Sequence, residues 1–182
     1  MPLSPLTRAI DAVSPAELSR QLRTEEGGFL PQRRGILGCA LGAAGAMGVI
    51  ALYQLGVIDH LPDPPLPYFD SDKVDAAPQA YGWFSTPDAP LGLATYAATA
   101  VLTSMGGADR FARRPWLPLA LAVKTGADAA QAAKLTRDQW TKHGAFCVWC
   151  LIAAGCSFGA AALALPEARA AWRSLRHASD PA

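Results

Sequence analysis

The chain has 182 residues, enough for one domain of ordinary size, and charged residues make up 17% of it against roughly 25% in a typical soluble protein. The formal net charge of +1 gives no electrostatic reason to expect a nucleic-acid partner. Charges are absent from long stretches and crowd between them, as in a multi-pass membrane protein, and all four cysteines (Cys39, Cys147, Cys150, Cys156) lie in apolar runs, which excludes a small secreted disulfide framework.

Residues 1–32 read as a polar, cytoplasmic N-terminal arm with no apolar signal-peptide core. Within it Ser14-Pro15-Ala16-Glu17 is a capping-box pattern, and Leu18 and Leu22 predict a short amphipathic helix to about Thr24, ended by Glu25-Glu26-Gly27-Gly28. Gly35 to Ile58 carries no charge and exceeds the roughly 20 residues a bilayer crossing needs. Its small residues (Gly38, Gly42, Ala43, Gly45, Ala46, Gly48) let another helix approach closely, and Cys39 reads as a small packing thiol among them. Asp59 to Asp88 is rich in proline, acids and aromatics (Tyr68, Phe69, Tyr81, Trp83, Phe84), so it is expected as an interfacial cap with a short helix within Val74 to Tyr81. Ala89 to Ala108 is the second uncharged run, with Pro90-Leu91-Gly92 expected to delay its helix. Pro115 to Thr136 is taken as a third span although it holds Lys124 and Asp128, one turn apart and able to pair. Such an intramembrane pair is either a functional site or an internally satisfied structural one. Arg137 to His143 reads as a polar loop, and Gly144 to Leu165 as the last span, whose apolar part ends at Pro166-Glu167.

The expected fold is therefore all-α: a four-helix transmembrane bundle over residues 33–166, with an extracytoplasmic loop and short-helix cap between spans one and two. A basic cytoplasmic tail, 167–182, follows. Arg33-Arg34, the Arg110–Arg114 loop and the C-terminal arginines fall on one side of this arrangement. The positive-inside rule then puts both termini in the cytoplasm.

That topology puts Cys147-Val148-Trp149-Cys150 at the extracytoplasmic end of the last span, beneath the acidic aromatic cap. On a helix, residues three apart share a face, and the helix N-terminus favours a thiolate. The pair can close a disulfide and exchange electrons with another dithiol or with a lipid-soluble carrier such as a quinone. Two other readings stand beside this one. The cysteines can be packing residues, or they can bind a metal, although two further Cys or His ligands are not evident and no metal site is assigned.

Several stretches resemble the vitamin K epoxide reductase family in its bacterial membrane form, over most of residues 35–165. They are Tyr53-Gln54-Leu55-Gly56; Ser71-Asp72-Lys73-Val74 followed by Ala77-Pro78; Pro87-Asp88-Ala89-Pro90-Leu91-Gly92 leading to Tyr96; and Phe146-Cys147-Val148-Trp149-Cys150. The resemblance implies a four-helix membrane bundle around a quinone (ubiquinone or menaquinone) that couples quinone reduction to disulfide formation, often in a thioredoxin-like partner. It implies that Cys150 faces the quinone and that Cys147 exchanges with an incoming thiol. Asp88 would hydrogen-bond a quinone oxygen, and Phe146 and Trp149 are expected with it among the quinone-binding residues.

The chain departs from the family pattern in one place that bears on function. Relatives carry a cysteine pair in the first extracytoplasmic loop that relays electrons to the C-x-x-C. Here no cysteine lies between Cys39 and Cys147, Ser71 stands in the second relay position, and Ala77 replaces a serine of many relatives. Two functions follow as expectations. One is a thiol–quinone oxidoreductase served by a separate thiol protein; the other is a redox-inactive membrane subunit that keeps the fold for binding or assembly.

Overall fold

The computed structural model describes residues 14–24, 27–82 and 85–178. The expectations placed on Met1 to Val13, on Glu25-Glu26 as a helix stop, and on the cap aromatics Trp83 and Phe84 lie outside the described residues, as do the last residues of the tail, 179–182. The rest is helical: α1 Pro15–Thr24, α2 Leu30–Gln54, α3 Ser71–Asp75, a 3₁₀ turn Pro78–Tyr81, α4 Asp88–Ser104, the single turn α5 Arg110–Arg113, α6 Trp116–Asp138, a π turn Gln139–His143, and α7 Val148–Ala178. No strand occurs among the described residues; Phe69 and Phe146 form one isolated parallel bridge.

The four long helices, α2, α4, α6 and α7, pack side by side, each antiparallel to the next. Small residues set the closest approach. A Cβ added at Gly35 would lie 2.8 Å from Leu163, one at Gly42 3.3 Å from the Cys156 sulfur, and one at Gly159 3.3 Å from the Cys39 sulfur. The α2–α7 interface therefore runs as a reciprocal pattern in which each helix offers a thiol to a glycine of the other. Ala43, Ala46 and Ala153 continue it, and Ile50 meets Cys147 at the far end. Helix α4 lies on the other side of α2, where a Cβ at Gly92 would stand 2.8 Å from the Met47 sulfur. Leu121 of α6 packs with Ile36, Ala160 and Ala164.

Two buried arginines hold one end of the bundle. The last carbonyls of a helix have no partner inside it. Arg33, 4% exposed, donates to the carbonyls of Thr103, Met105, Gly106 and Gly107 at the end of α4. Arg110, 1% exposed, donates to those of Leu102, Thr103 and Met105 and forms a two-bond ion pair with Glu167, both contacts at 2.7 Å. Charges that read in the sequence only as a topology signal are thus also caps.

Several local expectations are corrected. Helix α4 begins at Asp88 rather than beyond Gly92. Pro90 falls in its first turn, where the missing N–H has no acceptor to lose. Residues 139–143 are a π turn continuing α6, not a loop; Gly144, at φ 60°, then reverses the chain in the left-handed region that glycine tolerates. The short helix of the cap spans Ser71–Asp75, with Asp70 as its N-cap accepting from the Lys73 N–H at 3.0 Å, and only a 3₁₀ turn covers Pro78–Tyr81. Helix α7 starts at Val148 and continues through Pro166 to Ala178, so the described part of the basic tail is helical. Helix α1 begins as expected, with the Ser14 hydroxyl accepting the Glu17 N–H at 3.2 Å.

Among the described residues, two helices are long and apolar enough to cross a bilayer, Leu30–Gln54 and Val148–His177. Helix α4 has only 17 residues, and α6 contains Lys124, Asp128, Lys134 and Arg137. Large apolar side chains nevertheless project outward from all four long helices, among them Leu41, Val101, Val123 and Phe158.

Candidate functional site: a dithiol beside a buried carboxylate

Cys147 does not lie within the helix. It stands immediately before Val148 and serves as the N-cap of α7. Its carbonyl accepts the Leu151 N–H at 3.0 Å, and its sulfur accepts the Cys150 N–H at 3.0 Å. The two sulfurs face each other because a capping side chain folds back over the first turn, not because two helical residues share a face. The Cys147 N–H is itself held, by the Gln139 side-chain oxygen at 2.9 Å. Cys147 is fully buried and Cys150 half-buried.

The cap is fastened to this entry at several points. Phe146 exchanges backbone bonds with the loop, donating to the Tyr68 carbonyl at 2.7 Å and accepting from the Asp70 N–H at 3.0 Å. Tyr68 reaches that position at φ 74°, an uncommon conformation for a residue with a side chain. The Trp149 indole donates to the Pro62 carbonyl at 3.0 Å. Ser71, in the position where the resemblance puts a relay cysteine, is fully buried. Its hydroxyl donates to Asp63 at 2.6 Å and accepts the Val148 N–H at 3.2 Å. The side chains of Ser71 and Asp63 thus tie the loop across eight residues with a hydrogen bond.

The residue the sequence reading passed over is Asp75. It ends α3, is 4% exposed, and places its carboxylate 3.5 Å and 4.0 Å from the Cys150 sulfur. Among the described residues it makes no ion pair; the thiols of Cys147 and Cys150 are its side-chain partners. Burial pushes its pKa from 3.8 up to about 6; hydrogen bonds from the two thiols oppose the rise, and the nearby carboxylates of Asp88 and Asp63 add to it. The signal was present in the chain. Asp75 lies four residues after Ser71, so on a helix both point the same way, toward whatever Ser71 faces. Asp75, Cys147 and Cys150 bring their ligand-type atoms within 4.8 Å of one another.

The other site expectations separate. Trp149 packs in the same cluster as Cys147 and Cys150, with Ile50, Ala51, Ala89, Met47, Val74 and Leu93. Asp88 opens α4 beside this cluster and accepts from the Gln54 side chain at 2.8 Å, while the Gln54 oxygen accepts the Ala89 N–H at 3.1 Å. Phe146 turns into the cap, stacked on Trp140 at 5.5 Å and near Phe69 at 6.4 Å. Lys124, singled out for its charge, is internally satisfied: its ammonium donates to the Thr95 carbonyl at 2.5 Å, the Thr99 hydroxyl at 2.6 Å and Asp128 at 2.6 Å, which uses all three protons.

A helical bundle with a dithiol capping one helix, buried against apolar side chains and a single carboxylate, has the makings of a thiol redox centre. The family model described as Vitamin K epoxide reductase family matches residues 35–165, most of the chain, and the chain belongs to that family. The family is membrane-associated and redox-active, generally linked to quinones and to a thiol partner. A search of curated proteins returns no match.

Proposed function

We propose that the protein is a four-span membrane thiol–quinone oxidoreductase in which Cys147 and Cys150 alone carry the electrons. The observation that carries this reading is the facing of the two sulfurs across the first turn of α7, in a family whose chemistry is redox. A quinone such as ubiquinone or menaquinone, when bound, accepts two electrons and two protons as the two thiols close to a disulfide. Met47, Leu93 and Trp149 give Cys150 an apolar surround that suits such a ring. Asp88 and Phe146 stand beside this surround, in α4 and in the cap. Leu93 also lines an apolar groove between α2 and α4, with Ala40, Leu41, Ala97 and Val101, which suits an isoprenoid tail.

In this reading both termini are cytoplasmic and the dithiol lies at the extracytoplasmic face, in a bacterial inner membrane. Electrons come from a separate thiol protein, thioredoxin-like or otherwise, because no cysteine lies between Cys39 and Cys147 and the Ser71 hydroxyl has no thiol chemistry with which to relay them. A purified sample given a small dithiol reductant should reduce a short-tail quinone, and Cys150→Ala should abolish that turnover. Turnover that survives Cys150→Ala would refute the proposal. The same absence of a relay favours one other reading, a redox-inactive subunit, which predicts no turnover even in the unaltered protein.

A further inference from the structure

We propose that Asp75, Cys147 and Cys150 form a three-ligand site for a borderline-soft divalent cation of the zinc and cadmium kind, available only while the dithiol is reduced. The three donors come from two separate parts of the chain, the end of α3 and the start of α7, and converge within 4.8 Å. Tetrahedral zinc with bonds of about 2.3 Å to sulfur and about 2.0–2.2 Å to carboxylate oxygen implies a sulfur-to-oxygen edge of roughly 3.5 Å. The Cys150 sulfur and the Asp75 oxygen stand 3.5 Å apart.

Other features fit a ligand set better than a chance contact. Asp75 is a buried carboxylate without a counter-cation among the described residues, and a bound ion would supply the missing charge. The donors are held in place before any ion arrives. Cys147 is fixed as the N-cap of α7 with its N–H on Gln139, and the Ser71 hydroxyl ties the helix that carries Asp75 to the Val148 N–H. Two thiolates with one carboxylate select zinc or cadmium over magnesium or calcium. Three protein ligands leave a fourth position for water or another donor, the arrangement of an open rather than a closed site.

Binding replaces the two thiol protons with the ion and leaves both sulfurs reduced. Disulfide closure removes both sulfur donors, so the metal-bound and disulfide states exclude each other. If the quinone reading holds, the ion is also a reversible inhibitor; the site itself needs only the reduced thiols and does not depend on that reading.

Cadmium is the probe, added to the full chain in detergent after reduction by a phosphine, with the thiolate-to-cadmium ultraviolet band as the signal. One ion per chain is expected, with none taken up after oxidation of Cys147 and Cys150. Asp75→Asn should weaken binding at least tenfold, whereas a Cys39→Ala, Cys156→Ala double variant should bind as the unaltered protein does. Mass-mapped alkylation of the unaltered protein gives a second measurement that needs no variant: cadmium should shield Cys147 and Cys150 and leave Cys39 and Cys156 unshielded. No stoichiometric band, unchanged affinity in Asp75→Asn, or a band that follows Cys39 and Cys156 would each overturn the site. Quinone turnover is measured separately, so loss of one result leaves the other standing.

Discussion

The Ser71–Asp63 hydrogen bond invites reconstruction of the missing relay. Changing both residues, Asp63→Cys with Ser71→Cys, puts two thiols where two side chains already touch at 2.6 Å. The disulfide would close a loop of nine residues, 63 to 71, and in the chain-entropy view stabilise the fold by about 2.6 kcal/mol. Three hydrogen bonds are lost in exchange: Ser71 hydroxyl to Asp63, Ser71 N–H to Asp63, and Val148 N–H to the Ser71 hydroxyl. At about 1 kcal/mol each, with Asp63 exposed enough for solvent to screen its share, the terms nearly cancel. Stability is therefore expected to move little, and the informative readout is redox. The position now held by Ser71 is 3.2 Å from the Val148 N–H, next to Cys147, so a thiol there can pass electrons on. Mild oxidation should leave the two new thiols resistant to alkylation, and quinone reduction driven by a thioredoxin-like protein should rise relative to the unaltered chain. If both new thiols remain freely alkylated after oxidation, Asp63 does not face Ser71 as described and the relay argument fails.

Three further outcomes are expected. Glu167→Ala leaves Arg110 buried without its counter-charge and should cost roughly 3–5 kcal/mol in detergent unfolding; a loss under about 1 kcal/mol would mean the pair is solvated. Lys124→Met removes the donor from Thr95, Thr99 and Asp128 and should lower stability by about 1–3 kcal/mol, while the folded fraction keeps its quinone turnover; selective loss of turnover would instead make the lysine functional. His60 Nδ1 donates to the Asp72 carboxylate at 2.8 Å, and that bond raises its pKa above 6.5. Its support of the cap is then complete below pH 6.5 and lost as pH rises through the folded value. The ring's titration midpoint, read by NMR, should fall back to the ordinary value in Asp72→Asn.

Much of this architecture is written in one dimension. Uncharged runs of helical length announced the α2 and α7 helices, closely spaced glycines announced that α2 lets some neighbour come close, and the C-x-x-C announced a thiol pair, because hydrophobicity, side-chain size and residue type are local properties. Local rules failed where position within an element decided the outcome. Pro90 reads as a breaker but sits in a first turn, and Cys147 reads as helical but caps the helix.

What only the tertiary structure decided is the company the dithiol keeps. Asp75 is one of six acids between Asp59 and Asp88, and its four-residue spacing from Ser71 marks the face it shares without showing what that face meets. Folding turns the α3 face inward and buries that one carboxylate against two sulfurs, while Asp63 goes to Ser71 and Asp72 to His60. The physical reason is that burial and proximity between residues 75 and 150 depend on how the cap docks on the bundle, through the Tyr68–Phe146 backbone bond and the Trp149–Pro62 contact. No pattern within either segment specifies that docking. The sequence by itself determined that the protein carries a dithiol at the mouth of a helical bundle; the tertiary structure determined that the dithiol has a carboxylate beside it.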